Sequence, residues 1–354
     1  MSENDISADL RQQVEQALSS GTAQNICAGN TKQFYGRTNA GDTLDVSQHR
    51  GIINYEPTEL VITARAGTPL KEIEQVLTEE SQMLAFEPPA FGSTATLGGT
   101  IACNFSGPRR AFSGSARDFV LGCTLINGKA ELLHFGGEVM KNVAGYDVSR
   151  LMCGAMGTLG VILEVSVKVL PKPETELTLV QQRGVADSLA KVHSLARQPL
   201  PVSATSFNDN ALHIRLSGTD GAVHAARKLI GGDELPAGDD YWQQLKEHEL
   251  EEFDTDANLW RLSLVSNAPV LNLLGSTLYE WNGAQRWLMT SENSEVIREE
   301  VSRQGGHAVC FRQRTDIQQV FHPLDSGLLK IHRQLKKAFD PDAIFNPGRM
   351  YAEI

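Results

Sequence analysis

The sequence has 354 residues, of which 41% are hydrophobic and 21% charged, and its formal net charge at pH 7 is −11. This length predicts a large core and about two domains, whereas the acidic balance disfavours nucleic acid, whose phosphates require Lys and Arg. No apolar run approaches the roughly 20 residues that cross a bilayer, and the polar start at Met1–Asp5 lacks the features of a signal peptide, so we expect a cytoplasmic protein.

The cysteines and histidines are dispersed along the chain. No C-x-x-C and no H-x-x-x-H pair occurs. Zinc sites and iron–sulfur clusters need several such ligands brought together, usually at short spacings, so we predict no metal site within this chain. The five cysteines, predicted to be reduced and mostly buried, are Cys27, Cys103, Cys123, Cys153 and Cys310.

The first predicted elements are a helix and a short strand that ends in a polar loop. Leu10, Val14 and Leu18 recur four residues apart, as on the buried face of a helix. The strand near residues 25–27 gives way to small and polar residues, whose backbone amides and hydroxyl suit a phosphate. An ordinary turn after a strand is the alternative. The candidate phosphate contacts are Gly29, Asn30, Thr31 and Lys32.

A second strand and a helix are predicted next. The strand covers Leu60–Gly67, and Thr68 is the predicted N-cap of a helix with Pro69 in its first position. Small residues then accumulate after Pro88-Pro89 and culminate in Thr96-Leu97-Gly98-Gly99-Thr100. Paired glycines allow a positive φ and remove the side chains that would keep a phosphate away from the amides. A tight turn without a ligand is the alternative interpretation.

A hairpin and a long strand complete the first predicted domain, over residues 1–174. Strands over Phe119–Ile126 and Lys129–Phe135 flank Asn127-Gly128, which predicts a type I′ turn. After Gly157-Thr158-Leu159-Gly160, apolar and polar residues alternate from Val161 to Val169, the pattern of a half-buried strand. No G-x-G-x-x-G follows a strand and no G-x-x-x-x-G-K-[ST] occurs, so we predict neither a Rossmann site for NAD nor a P-loop for ATP.

Residues 175–322 are predicted to form a second, smaller α+β domain, and residues 323–354 a helix and tail that return to the first domain. In the second domain, the pattern of strands with two covering helices suggests a ferredoxin-like arrangement. The face made by Leu328, Ile331 and Leu335 is expected to pack on the first domain. The predicted strands and helices of residues 175–322 are 204–207, 212–216, 222–230, 259–265, 277–281, 295–303 and 307–311.

The order of these runs resembles the FAD domain of the vanillyl-alcohol oxidase and p-cresol methylhydroxylase (PCMH) type. Over nearly its whole length, the chain resembles the FAD-binding E-subunit family of bacterial glycolate oxidase, also called glycolate dehydrogenase. The likeness includes the run from Gly136 to Asp147 and the terminal Asn346-Pro347-Gly348-Arg349. The resemblance implies an α+β fold, with a two-subdomain FAD-binding domain of the PCMH type and a ferredoxin-like cap.

The resemblance also implies which residues meet the cofactor. Covalent members of the superfamily tether the flavin through a histidine in the first loop, or through Cys or His near the ring. Residues 27–37 contain no histidine, so we expect non-covalent FAD, with Cys103 as the one alternative tether. An ion pair between Arg117 and Asp118 is the alternative to their contact with the flavin. Besides the loop 29–32, the implied cofactor contacts are Pro89, Thr96, Leu97, Gly98, Gly99, Cys103, Ser115, Arg117, Asp118, Gly157, Gly160, Ile162 and Arg349.

No catalytic residue is assigned from the sequence. Oxidation of a 2-hydroxy acid needs an arginine for the carboxylate, a base for the hydroxyl proton and a flavin that accepts hydride. Related catalytic subunits carry a Glu-His-Gly run and further histidines in the cap. His307 lacks the following glycine and its partners, so we interpret it as structural. Arg109, Arg110 and Arg349 are candidates for carboxylate or phosphate binding, or for ordinary ion pairs.

Three hypotheses follow. The chain is an electron-transferring FAD subunit that acts on glycolate with a sister catalytic flavoprotein and an iron–sulfur subunit, and it meets the inner membrane only through them. Alternatively, it is a self-sufficient oxidoreductase of hydroxy acids or alcohols, or a scaffold that has lost its flavin. Tryptophan is enriched at interface hot spots, so Trp242 and Trp287 are predicted contacts for a partner, with burial in the core as the alternative. Trp260 and Trp281 belong to the same set.

Overall fold

The computed structural model describes residues 4–137, 147–315 and 317–354, and it divides into two compact units. The first unit comprises Met1–Phe105, Ser115–Pro171 and Pro323–Ile354. The second unit comprises Ser106–Gly114 and Lys172–His322. The short excursion 106–114 therefore groups with the second unit although its neighbours on both sides belong to the first.

The helices and strands of the described residues are numbered here in chain order. The helices are α1 (Ser7–Ser20), α2 (Leu70–Glu79), α3 (Leu97–Cys103), α4 (Arg110–Ser113), α5 (Ala116–Phe119), α6 (Val148–Met152), α7 (Val185–Leu195), α8 (Asp220–Ile230), α9 (Gly238–Glu247), α10 (Ser294–Arg303) and α11 (Ser326–Phe339). The strands are β1 (Gln24–Cys27), β2 (Asp42–Asp45), β3 (Ile52–Glu56), β4 (Val61–Arg65), β5 (Gln82–Met83), β6 (Val120–Ile126), β7 (Leu132–Gly136), β8 (Val161–Lys168), β9 (Leu170–Pro171), β10 (Thr175–Gln182), β11 (Val202–Phe207), β12 (Ala211–Gly218), β13 (Asp233–Glu234), β14 (Asn258–Ser263), β15 (Ser276–Glu280), β16 (Gln285–Thr290) and β17 (His307–Arg312). None of these helices is long and apolar enough to cross a membrane.

The first unit is built around a five-stranded sheet in the order β3-β4-β8-β6-β7. The predicted half-burial of β8 is wrong, because this strand lies at the centre of the sheet. Ile162, Val165 and Val167 join one hydrophobic cluster, whereas Val161 and Leu163 join another. Both faces of β8 are thus covered, which favours nearly continuous burial along the strand. Its buried Ser166 hydroxyl lies 2.9 Å from that of Thr63 on β4.

Two local predictions in the first unit need correction. Helix α2 begins at Leu70, with Pro69 rather than Thr68 at the cap position. The Thr68 hydroxyl instead accepts a hydrogen bond from the amide of Gly51 at 2.9 Å and ties two loops together. The hairpin β6–β7 has a five-residue loop, in which Ala130 and not Gly128 has a positive φ, so the type I′ prediction is wrong. Gly128 is needed for another reason, since a Cβ there would lie 2.4 Å from the Asp340 carboxylate.

The C-terminal helix belongs to the first unit, but its apolar face is only partly covered. Asp325 caps α11 by accepting hydrogen bonds from the amides of residues 327 and 328, both at 2.8 Å. Leu335 and Phe339 pack against the core of the first unit. Leu328 and Ile331 are 47% and 51% exposed, so their predicted packing is wrong.

The second unit contains an eight-stranded sheet in the order β13-β10-β12-β11-β15-β16-β14-β17. Its first half has the connectivity βαββαβ, from β10 through α7, β11, β12 and α8 to β13. The spatial order of those four strands is that of a ferredoxin-like motif, as predicted. All seven predicted segments are present, while the sequence patterns missed β10, α7, β13, α9 and β16.

The tryptophans of the second unit are mostly core residues, so the prediction that Trp242 and Trp287 contact a partner is wrong. Trp242 and Trp287 are 3% and 4% exposed, and Trp260 is fully buried. The Trp242 indole donates to the Thr178 hydroxyl at 2.8 Å, which satisfies its buried N–H inside the unit. Trp281 is half-buried, and its indole donates to the carbonyl of Gly107 at 3.0 Å.

The arginine pair of the excursion 106–114 also has a structural explanation. Arg109 is buried and forms an ion pair with Glu176 of β10. The guanidinium of Arg110 lies 4.3 Å from the ring centroid of Trp281. These contacts hold the excursion to the second unit and support the ion-paired interpretation of Arg109.

Candidate functional site

The first unit contains a cavity of about 280 Å³. Four parts of the chain that are distant in sequence form three walls: the loop after β1, the start of α3, and the turn before β8 together with the C-terminal tail. The residues that line it are Asn25, Ile26, Cys27, Ala28, Gly29, Asn30, Thr31, Lys32, Gln33, Thr38, Asn39, Val46, Ala66, Thr96, Gly98, Gly99, Ala102, Cys103, Met156, Gly157, Ile162, Asn346 and Arg349.

The first wall is the loop after β1, and it is packed tightly against the segment before α3. A Cβ at Gly29 would lie 1.6 Å from the carbonyl oxygen of Thr94, so no other residue fits there without moving backbone. The Thr94 hydroxyl donates to the Gly29 carbonyl at 2.6 Å. The buried Lys32 ammonium donates to the Ala90 carbonyl at 3.2 Å. The predicted contacts 29–32 therefore lie together on the cavity in a loop held at several points.

The second wall is the start of α3, where the structure corrects the reason for the paired glycines. Neither Gly98 nor Gly99 has a positive φ, because both are in the helix that Thr96 caps. A Cβ at Gly98 would lie 2.6 Å from that of Ala66, so Gly98 permits α3 to pack closely on the residue that follows β4. A Cβ at Gly99 would meet only the Thr96 hydroxyl, at 3.3 Å. Gly99 thus lines the cavity without a side chain, and a Cβ there would crowd the Thr96 hydroxyl.

The third wall joins the turn before β8 to the C-terminal tail through Asn346. The buried Asn346 side chain accepts a hydrogen bond from the amide of Ile26 at 2.8 Å and donates to the carbonyl of Met156 at 2.7 Å. Gly157 has a φ of 71°, and a Cβ there would lie 2.6 Å from the Asn346 amide nitrogen. One side chain therefore connects β1 with the turn before β8.

Arg349 lies on the cavity and fastens the tail to the segment that follows the first loop. Its guanidinium donates to the carbonyls of Arg37 at 2.8 Å, Tyr35 at 2.7 Å and Gln33 at 3.2 Å. Burial lowers the pKa of this guanidinium from its ordinary value. The group nevertheless stays cationic at neutral pH, because an arginine pKa starts above 12. No carboxylate among the lining residues neutralises this positive charge.

The electrostatic character of the cavity fits an anionic ligand with an apolar part. Lys32 and Arg349 are its two basic residues, and no Asp or Glu is among the lining residues of the described ranges. Asparagine, glutamine and threonine side chains supply neutral hydrogen-bonding groups. Apolar surface comes from Ile26, Val46, Ala66, Ala102, Met156 and Ile162. This donor set suits a diphosphate attached to a ring system, which is the chemistry of a dinucleotide.

Eleven of the predicted contacts therefore line one cavity, and six do not. Ser115 and Asp118 form a capping box at α5, in which the Ser115 hydroxyl donates to the carboxylate at 2.7 Å. Burial acts to raise the pKa of Asp118, but these Ser115 hydrogen bonds and the nearby arginines leave it below its ordinary value. Arg117 is exposed, and its amide donates to the Asn104 side chain.

The remaining three predicted contacts have packing roles. Leu97 is 1% exposed in the core of the first unit. A Cβ at Gly160 would lie 2.8 Å from the carbonyl of Ile126, so this glycine allows β6 to approach. Pro89 is buried beside Ala90, whose carbonyl accepts from Lys32. The resembling run from Gly136 to Asp147 lies outside the described residues except at its ends.

Sequence reasoning missed several lining residues. Asn346 stands in the terminal run that carried the resemblance, so a signal for it existed. Thr38 and Asn39 had none, because they occur in an irregular segment without a recognisable pattern. The missed residues are Asn25, Ile26, Cys27, Ala28, Gln33, Thr38, Asn39, Val46, Ala66, Ala102, Met156 and Asn346.

Comparisons with known proteins agree with this chemistry. Residues 7–136 match the family model described as FAD binding domain. The chain is 50% identical over 352 residues to the glycolate oxidase subunit GlcE of Escherichia coli (strain K12), covering 99% of both proteins. It is 32% identical over 175 residues to the glycolate oxidase subunit GlcD of Bacillus subtilis (strain 168), covering 49% of this chain and 36% of that protein.

A solved structure of alkyldihydroxyacetonephosphate synthase has a similar fold. Its TM-score is 0.69 at 14% sequence identity, and the match covers 96% of this chain and 75% of that one. At such low identity, the likeness concerns the fold alone. It agrees with the α+β architecture of the vanillyl-alcohol oxidase and PCMH type that the sequence predicts.

Proposed function

Because the chain belongs to the GlcE family of glycolate oxidase subunits and is an FAD-dependent oxidoreductase, we propose that it is the FAD-binding subunit of a complex that oxidises glycolate to glyoxylate. The observation that carries this proposal is the cavity of the first unit. Its lining has two basic side chains, no carboxylate, and no side chain at Gly98 and Gly99. An anionic dinucleotide fits such a site, whereas a cationic ligand would lack a counter-charge.

Particular residues would hold the cofactor in this proposal. The loop 29–32 and the charge of Arg349 would meet the diphosphate, while the apolar residues such as Val46 and Ile162 would contact the rings. When bound, FAD supplies an acceptor for two electrons. The residues of this chain bind and orient it, and the tight packing of Gly29 and Gly98 keeps the walls in place.

We assign the removal of hydride from glycolate to a sister flavoprotein, and the onward electron path to an iron–sulfur subunit. Two buried histidines of the second unit support this division, since their contacts are structural. His248 is surrounded by the rings of Phe253, Trp287 and Phe311, and burial lowers its pKa well below the ordinary value. His213 stacks on Tyr241, and burial lowers its pKa to about 4.

His307 is exposed at the start of the edge strand β17, and its ring centroid lies 6.4 Å from that of His322. We infer a structural role for it, as the sequence predicts. In the described residues, no three His, Cys, Asp or Glu side chains are grouped so as to hold a metal ion. We propose that the iron–sulfur acceptor belongs to a partner subunit.

An anaerobic reduction experiment tests this division of labour. The chain is purified alone and with its co-purifying partners, and the flavin spectrum is recorded before and after adding glycolate. We expect the flavin absorbance to bleach in the complex and to stay oxidised in the isolated chain. Bleaching in the isolated chain would instead establish a self-sufficient oxidoreductase, and a colourless purified chain would support the scaffold hypothesis.

The attachment of the flavin gives a second test. Two cysteines line the cavity, Cys27 and Cys103, and both are half-buried. Burial, reinforced by the charge of Asp45, raises the pKa of Cys27 and so disfavours its nucleophilic thiolate. We expect acid precipitation to release all of the flavin into the supernatant. Flavin that remains on the denatured chain, and is lost in Cys103→Ser, would contradict the non-covalent assignment.

A further inference from the structure

Helix α11 buries a lysine where an apolar residue is expected. All 14 of its residues are described, and Lys336 is the only buried one. Its side chain is 8% exposed, and that of its partner Asp340 is completely buried. A buried charge is costly unless it is paired and hydrogen-bonded, so the lysine requires an explanation from its contacts.

The ammonium of Lys336 uses all three of its donors. It donates to the Asp340 carboxylate at 2.7 Å and to the carbonyls of Phe345 at 2.7 Å and Thr158 at 2.8 Å. The carboxylate in turn accepts from the amides of Ile344 at 3.1 Å and Phe345 at 2.8 Å. We call Lys336, Asp340, Thr158 and Phe345 the Lys336 cluster. Its charges are mutually compensated and its polar atoms are satisfied.

The two carbonyls that Lys336 holds are each adjacent to a residue of the cavity. Thr158 follows Gly157, and Phe345 precedes Asn346. Gly157 and Asn346 both line the cavity, and they approach so closely that a Cβ on Gly157 would lie 2.6 Å from Asn346. The cluster therefore fixes the distance between the turn before β8 and the C-terminal tail, although Lys336 does not itself line the cavity.

We propose that Lys336 is a positioning residue of the FAD site, which holds the backbone at Thr158 and Phe345 so that Gly157 and Asn346 form one rigid wall. It does not touch the cavity and acts only through these neighbours. A buried ion pair contributes little net stability compared with an apolar replacement, so stability alone does not account for it. This inference rests on the proposed FAD site.

The test compares Lys336→Met with Lys337→Met. Both variants lose a lysine from the same turn of α11, but Lys337 is exposed. We expect the apoprotein of Lys336→Met to bind FAD about tenfold more weakly than the wild type, the effect typical of removing a group that orients direct ligands. Lys337→Met should bind as the wild type does. Affinity is measured by titrating apoprotein with FAD, following the quenching of flavin fluorescence.

A double variant separates positioning from folding. Lys336→Met alone leaves the Asp340 charge buried and unpaired, so the apoprotein is expected to melt at a lower temperature. Lys336→Met with Asp340→Asn removes that charge and should recover part of the stability, although the single oxygen of asparagine can accept from only one of the two amides. We expect this double variant still to bind FAD about tenfold more weakly. If the double variant binds FAD as tightly as the wild type, the proposal is overturned, including when the single variant does not fold.

The Gly99→Val variant distinguishes this failure from failure of the site itself. If Gly99→Val loses FAD while the double variant binds normally, the cavity holds FAD and the positioning role is wrong. If FAD binding is unchanged in both, the cavity is not the FAD site, and the proposal for Lys336 fails with it.

Discussion

Replacing Gly99 by Val is expected to deprive the purified protein of most of its flavin while the fold survives. Gly99 lies on the cavity inside α3, and a Cβ there meets only the Thr96 hydroxyl, at 3.3 Å. A valine side chain would therefore extend into the space assigned to FAD. Glycine is a poorer helix former than valine, so the helix itself is not weakened. Flavin content per chain and the melting temperature of the apoprotein measure the two effects.

Two other glycine variants serve as controls for Gly99→Val. Gly221 lies in α8 of the second unit with nothing within 4 Å of its added Cβ, so Gly221→Val should keep both flavin and stability. Gly98→Val should destabilise the fold, because its Cβ would lie 2.6 Å from that of Ala66. A Gly99→Val protein that remains yellow at full occupancy would show that FAD lies elsewhere.

Replacing Asn346 by Ala is expected to have the second largest effect, on stability and flavin together. The change leaves the amide of Ile26 and the carbonyl of Met156 without the partners they have at 2.8 and 2.7 Å. Leaving one buried polar group unpaired costs about 1–3 kcal/mol, so we expect a loss of about 3 kcal/mol in the free energy of unfolding. Alanine also tolerates the φ of 40° at this position less well than asparagine does.

Denaturant unfolding of the apoprotein measures the first effect of Asn346→Ala, and flavin content the second. Asn272→Ala is the matched control, since Asn272 is exposed in the second unit. We expect this control to change the free energy of unfolding by less than about 0.5 kcal/mol. Equal stability of Asn346→Ala and Asn272→Ala would mean that Asn346 does not join the cavity walls.

Much of the site was readable from local patterns. The loop 29–32 and the run ending at Gly99 were identified because small residues are required wherever backbone approaches closely, and this requirement is visible in a single segment. Short runs of the sequence also showed that Rossmann and P-loop motifs are absent. The resemblance to a flavoprotein family came from the same kind of local evidence. The ferredoxin-like half of the second unit was only partly predictable, since β11, β12 and α8 follow clear sequence patterns whereas β10, α7 and β13 were missed.

Local patterns failed wherever burial depends on a distant neighbour. Trp242 and Trp287 were assigned to an interface because composition alone does not reveal that other strands and helices cover them. The periodicity of β8 indicated one covered face, but its place between β4 and β6 puts hydrophobic clusters on both. For Leu328 and Ile331 the error is the opposite, since the helical pattern predicted burial and both side chains are exposed.

The sequence by itself determined the cofactor class, through the resemblance of several short runs to a flavoprotein family, and it picked out the loop 29–32 and Gly99, which line the cavity. Only the tertiary structure separated the glycines: a Cβ at Gly29 or Gly98 would collide with neighbouring residues, whereas Gly99 lines the cavity and a Cβ there would meet only the Thr96 hydroxyl. It also brought Asn346 to the amide of Ile26, 320 residues away. Contacts of that separation are set by packing of the whole unit, and no local pattern encodes them.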